Sequence, residues 1–187
     1  MTPIPLASLW LPILVSAVAV FILSSIVHMV LPYHRSDYKQ IPDEDNALAG
    51  LTAAKLPPGL YVFPFCTHKD MKSAEIAAKR KRGPVGFMTL FPNESPAMGK
   101  FMALWFVFCV LVSIGVAFIA CHFVPEGQHR RHVVRIVGCA AFLAYGLSNF
   151  RDGVWKGQPW GNVIKEMFDG LIYAAATALS FAYLWPH

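Results

Sequence analysis

Long apolar runs, broken by short polar segments, organise most of the chain. The first runs from about Leu9 to Leu31 and holds one titratable residue, His28. Pro12 lies near its start, where proline is tolerated, and Pro32 closes it. A second runs from Phe101 to Val124 and stops at Pro125 and Gly127. A third, Val133 to Phe150, contains Arg135; a fourth, Asn162 to Trp185, begins with Lys165, Glu166 and Asp169. A bilayer crossing takes roughly 20 apolar residues. The first two runs reach that length, and the last two have shorter uncharged cores whose charged ends can snorkel to the interface. The pattern predicts an all-α membrane protein with four transmembrane helices, at about 9–31, 101–124, 133–150 and 162–185.

The segment 32–100 breaks this rhythm. Ser36 to Gly50 is acidic and polar. Two short aromatic and β-branched runs follow, Leu60 to Phe65 and Val85 to Phe91, each bounded by Pro or Gly as strands are. Between them, Asp70 to Arg82 has helical character, with Asp70 as expected N-cap and Gly83 and Pro84 as a stop. The expectation is a small strand–helix–strand element on one membrane face, within a single membrane domain covering 1–187.

Composition supports this picture. Of 187 residues, 56% are hydrophobic and 14% charged, against about 25% charged in soluble domains. The first basic residue is Arg35, so the first run lacks the charged flank of a signal peptide and is expected to remain as an anchor. The net charge of +5 does not point to nucleic acid, because the basic residues sit mainly between apolar runs. Ten Lys and Arg lie between Pro32 and Lys100, and Arg151, Lys156 and Lys165 flank the last two spans; only Arg130, Arg131 and Arg135 lie on the other side. The positive-inside bias puts the long loop in the cytoplasm and both termini outside. Trp10, Trp160 and Trp185 fall near span ends, as aromatic belts do. Lys79, Arg80, Lys81 and Arg82 read first as a solvated helix end, then as a contact for anionic lipid or an acidic partner.

The fourth span carries a polar stripe. Asn162, Glu166, Asp169, Tyr173, Thr177 and Ser180 recur every three or four residues and share one helix face. Such a face should avoid hydrocarbon. Ala174, Ala178 and Ala182 form a second, small-residue face, and Ala140 and Ala144 make a similar pair in the third span, so these two helices are expected to pack closely. The four cysteines form no CxxC pair, and Cys109 and Cys139 are expected to pack between helices.

Candidate chemistry gathers at the cytoplasmic span ends. His28, His34 and Asp37, with Glu166 or Asp169, mix imidazole and carboxylate in a way that suits iron, zinc or manganese. The bland reading of the same residues is an ion-paired network fixing the helix ends. A weaker set, Cys121, His122, His129 and His132, has a copper or zinc character, but Arg130 and Arg131 interrupt it. There is no Glu-x-x-His pair for a ferritin-like di-iron bundle. His28 and His122 sit at opposite span ends, which excludes bis-His haem. No phosphate loop, nucleophile elbow or His-Glu-x-x-His run occurs.

The stretches Gly83–Thr89 (GPVGFMT), Trp155–Trp160 (WKGQPW) and Phe168–Ala174 (FDGLIYA) resemble a group of small bacterial inner-membrane proteins. The resemblance covers most of the chain. It implies four spans and a bacterial inner-membrane location, and it brings no activity or site residue. With no reaction motif in view, the leading expectation is a non-enzymatic accessory or scaffold subunit of a larger membrane assembly. A metal-dependent enzyme or metal-handling protein is the alternative, and a small transporter or channel is the third.

Overall fold

A computed structural model describes residues 4–93 and 97–186. The chain forms two compact units, one made of Met1–Asp37 with Met98–His187 and the other of Tyr38–Ala97.

The first unit contains four helices long and apolar enough to cross a membrane: Leu6–Val30, Met98–Phe123, Arg130–Trp155 and Trp160–Leu184. Leu6–Val30 is built from a 3-10 turn, helix α1 (Trp10–Ser25) and a widened π turn, Ile26–Val30. Pro32 holds Leu31 extended, as a proline does to the residue before it, and so ends the helix. A tight 3-10 turn, Pro32–Ser36, follows.

In the second unit, helix α2 (Glu44–Ala53) begins within the acidic, polar segment, for which no element was expected. Glu44 and Asp45 in its first turn favour the helix dipole, and Ala47, Leu48, Ala49 and Leu51 are good helix formers. Strand β1 (Gly59–Phe63) pairs antiparallel with β2 (Gly86–Leu90), from Gly59 opposite Leu90 to Phe63 opposite Gly86. Helix α3 (Ala74–Arg82) lies between them in sequence, completing the expected strand–helix–strand order. Its N-cap is Ser73, whose hydroxyl accepts from the Ile76 N–H at 3.3 Å. Asp70, the expected cap, instead accepts from the Thr67 hydroxyl one turn earlier. Gly83 ends α3 at φ +67°, a conformation that favours glycine.

Helix α4 (Met98–Phe123) returns to the bundle. The third long helix is longer than its apolar core suggested. It comprises α5 (Arg130–Tyr145), a 3-10 turn at Leu147–Asn149 and α6 (Phe150–Trp155). The stretch after Phe150 was expected as a connection, but its backbone simply continues in helix. Helix α7 (Trp160–Leu184) completes the set.

The four long helices form a closed ring. Helix α7 packs on α5 and α1, and α4 packs on the same two. Ala17, Val20, Cys109, Val116, Ala117, Val137, Ala141 and Phe181 fill the centre. Large apolar side chains such as Ile22, Leu111, Leu143 and Leu179 face outward, an arrangement suited to a hydrocarbon surround rather than water. Polar ties cross the interior among the described residues: the Ser16 hydroxyl donates to Ser113 at 3.0 Å, the Trp105 indole to Ser24 at 2.7 Å, and the Tyr145 hydroxyl to the Cys109 carbonyl at 3.4 Å. Trp185 is buried, contrary to its expected place in an aromatic belt, and donates to the Pro125 carbonyl at 3.2 Å. Cys109 is buried as expected, whereas Cys139 is exposed on the outer face of α5.

The tightest crossing lies between α5 and α7. A Cβ on Gly170 would stand 2.2 Å from Gly146 Cα and 2.4 Å from its nitrogen. Ala174, Ala178 and Ala182 continue this contact as buried residues. On α5 the fully buried row is Val133, Val137 and Ala141, while Ala140 and Ala144 lie half-buried beside it.

Candidate metal centre

The Pro32–Ser36 turn folds the chain back beneath α1 and against the start of α7. Three side chains of α7 fix it there. Lys165 Nζ donates to the Tyr33 carbonyl at 2.7 Å, to Ser36 Oγ at 2.8 Å and to Asp37 Oδ1 at 2.6 Å. Asn162 Nδ2 donates to the Asp37 carbonyl at 3.0 Å. The third is Asp169, whose Oδ2 lies 2.8 Å from His34 Nε2.

His34 therefore sits between two carboxylates, because its Nδ1 donates to Asp37 Oδ2 at 2.5 Å. Its ring is flanked by Tyr33 at 4.1 Å and stacked on His28 at 4.3 Å between centroids. Burial raises the Asp37 carboxyl, but the hydrogen bonds and charges of Lys165 and His34 outweigh it and hold the group below the ordinary aspartate range. A charged Asp37 claims the Nδ1 proton of His34 and turns Nε2 toward Asp169. This is the carboxylate–histidine relay that orients metal-ligating imidazoles.

His28, His34 and Asp169 each offer a donor atom, and all three atoms lie within 4.8 Å of one another. Ligands at about 2.0–2.1 Å from a tetrahedral ion stand roughly 3.3 Å apart, so a modest swing brings the set to bonding distance. His28 is exposed and makes no hydrogen bond among the described residues, so its ring is the one free to swing. Asp169 is 2% exposed, and its second oxygen, Oδ1, is buried without a hydrogen-bond partner. A buried carboxylate oxygen left unpaired is costly unless something positive meets it.

A cleft of about 350 Å³ opens beside this set. His28, Glu166, Asp169 and Tyr173 form its polar side, and Trp105, Phe108 and Tyr145 its aromatic side. The Tyr173 hydroxyl is also buried without a partner. Deeper along the stripe the packing closes: Thr177 and Phe181 are fully buried, and Thr177 Oγ1 donates to the Tyr173 carbonyl of its own helix.

Most of the sequence-derived set converges here, in altered roles. His28, His34 and Asp169 form the donor group. Asp37 stands behind His34, and Glu166 accepts from Gln158 Nε2 at 2.9 Å at the cleft edge. Of the second set, Cys121 Sγ and His122 Nδ1 meet at 3.3 Å, but no third member joins them among the described residues. Cys121 and His122 both turn to the Phe118 carbonyl of their own helix, and His129 caps α5 by accepting from the Arg131 N–H. In the basic tetrad, Lys79 pairs with Glu75 at 2.6 Å and Arg80 contacts Cys66 Sγ, while Lys81 and Arg82 are exposed. Two contributors were not anticipated. Trp105 carried no pattern that marked it. Lys165, counted in the sequence among the basic residues flanking the spans, anchors the turn.

Lys165→Met should loosen the Pro32–Ser36 turn and leave Asp37 without its cation. A loss of about 1–3 kcal/mol is expected, seen as a lower melting temperature in detergent, with Lys165→Arg recovering part of it.

Compared with protein-family models, with curated proteins and with solved structures, the chain matches none.

Proposed function

We propose that the chain is a four-span membrane protein that holds one transition-metal ion on His28, His34 and Asp169. The observation that carries this reading is the grouping of two imidazoles and a buried, half-satisfied carboxylate within 4.8 Å of one another, with Asp37 behind His34. Two histidines and one carboxylate on one side of an ion leave its other positions open, an arrangement suited to iron, zinc or manganese chemistry. Two of the three donors, His28 and Asp169, line the cleft. Trp105, Phe108 and Tyr145 give it an apolar wall, and Glu166 and the Tyr173 hydroxyl offer polar contacts to a small molecule. The basic-residue bias favours a cytoplasmic location for this end, and the resemblance noted above favours a bacterial inner membrane.

This reading takes precedence over an accessory subunit because a specific arrangement of side chains supports it. The closed packing around Thr177 and Phe181 lends a channel no comparable support.

Elemental analysis of full-length protein purified without chelator and supplied with iron, zinc or manganese tests the proposal. About one ion per chain is expected, falling several-fold in His28→Ala. A chain that binds none of these metals, or whose content is unchanged by His28→Ala, would overturn it.

A further inference from the structure

A second feature lies on the surface of the bundle near the start of α5, whereas the cleft beside His28 borders the end of that helix. Arg135 is exposed there, five residues after Arg130 begins the helix. At 1.5 Å per residue it sits about 7.5 Å inside the helix end. Among the described residues it makes no hydrogen bond and no ion pair. Arg130 differs, since its guanidinium lies 4.8 Å from the centre of the Tyr183 ring. Arg131, one turn before Arg135 on the same helix face, is exposed as well.

Arg135 heads an apolar groove of about 770 Å³ between α4 and α5. Ile119 and Phe123 line one side, and Ile136, Cys139 and Leu143 the other. From Arg135 to Ala144 at its far end, the groove follows nine residues of helix, about 13 Å. That is close to half of the roughly 30 Å hydrocarbon core, the depth of one leaflet.

We infer that this groove binds one anionic glycerophospholipid, with its phosphate on Arg135 and Arg131 and one acyl chain along the groove. An unpaired guanidinium on an apolar surface needs a counter-charge, and the bundle supplies none. A lipid phosphate meets it with charge-assisted hydrogen bonds, and a guanidinium suits phosphate geometry well. The groove is lined by apolar side chains and one cation, Arg135, with Arg131 exposed one helical turn away. Those features fit a lipid of net negative charge better than a zwitterionic one. The inference rests on the membrane placement of the helices and is independent of the metal reading.

Native mass spectrometry of the full chain in mild detergent tests it, with phosphatidylglycerol or phosphatidylcholine of equal chain length added. The wild type is expected to retain one phosphatidylglycerol at least tenfold better than phosphatidylcholine. Arg135→Gln should abolish that preference. Ala140→Phe, which fills the groove and leaves both arginines, should lower retention of phosphatidylglycerol by a similar factor. Equal retention of the two lipids by the wild type, or a preference unchanged in Arg135→Gln, would overturn the inference. So would displacement of the lipid by soluble glycerophosphate, because the acyl chain would then contribute nothing. Metal content unchanged in both variants is the result expected if the two sites are separate.

Discussion

Under the proposed metal reading, Asp169→Asn should reduce bound ion to less than about a tenth of the wild-type content, since even loss of an outer partner costs about 10–100-fold. Asparagine is nearly isosteric and leaves the neighbouring packing in place. It removes the negative charge and turns half of the group into a donor that cannot ligate. At this position the change removes the one carboxylate among the three donors. It also leaves His34 Nε2 facing an amide in place of a carboxylate oxygen at 2.8 Å. Asp37→Asn should act more gently. Asp37 does not join the donor set but holds His34 Nδ1 and accepts from Lys165, and loss of such an orienting partner typically costs about 10–100-fold in metal affinity. Titration with Co²⁺, followed by its visible absorption, separates the two outcomes. Asp37→Asn should still saturate at higher metal, whereas Asp169→Asn should not. An Asp169→Asn protein that takes up Co²⁺ like the wild type would show that Asp169 does not hold the ion.

The largest loss of stability is expected at Gly170. An alanine methyl there would meet Gly146 Cα at 2.2 Å and Gly146 N at 2.4 Å. Both are backbone atoms of the facing helix, so no side-chain rotation relieves the clash and the helices must separate. Overpacking of this kind costs about 1–3 kcal/mol in ordinary cores. A backbone-to-backbone crossing should fall at or above the upper end, which is roughly 6–12 °C of melting temperature for a chain of this size. Gly138→Ala is the matched control. Its Cβ would lie 3.5 Å from the Ala178 methyl, an ordinary contact, and its melting temperature should stay near that of wild type. Thermal unfolding in one detergent compares them directly. Equal stability of the two variants would mean that the α5–α7 crossing is looser than described. Because Gly170 adjoins Asp169, the same variant should also weaken metal retention.

These two residues show how far the sequence carries. Gly170 was visible only as a glycine within an apolar run, and the small-residue periodicity drew attention to Ala174, Ala178 and Ala182. Those alanines are buried, and Ala178 lies opposite Gly138 of α5. The point of closest approach depends on which residue of the other helix lies opposite, and Gly146, at the end of α5, lies outside any repeat. For the same reason the third helix ran further than its hydropathy suggested. Its polar continuation through Arg151 and Asp152 is helical by backbone geometry, although it lacks the apolar signal.

The candidate site divides in the same way. The amino-acid pattern alone determined the four long apolar helices and the short strand–helix–strand order between the first two. It also determined the polar face of α7 and the presence of imidazoles and carboxylates near one end of the bundle. These are properties of local periodicity and side-chain chemistry, which a linear sequence carries in full. Only the tertiary structure decided that Asp169 rather than Glu166 meets His34 across 135 positions of chain, that Asp37 stands behind the imidazole, and that Cys121 and His122 turn back on their own helix. Glu166 and Asp169 are one helical turn apart and chemically alike. Which of them faces the histidines is set by the rotation of α7 about its axis, and that rotation is fixed by the glycine contact with α5 and the Lys165 anchor on the turn.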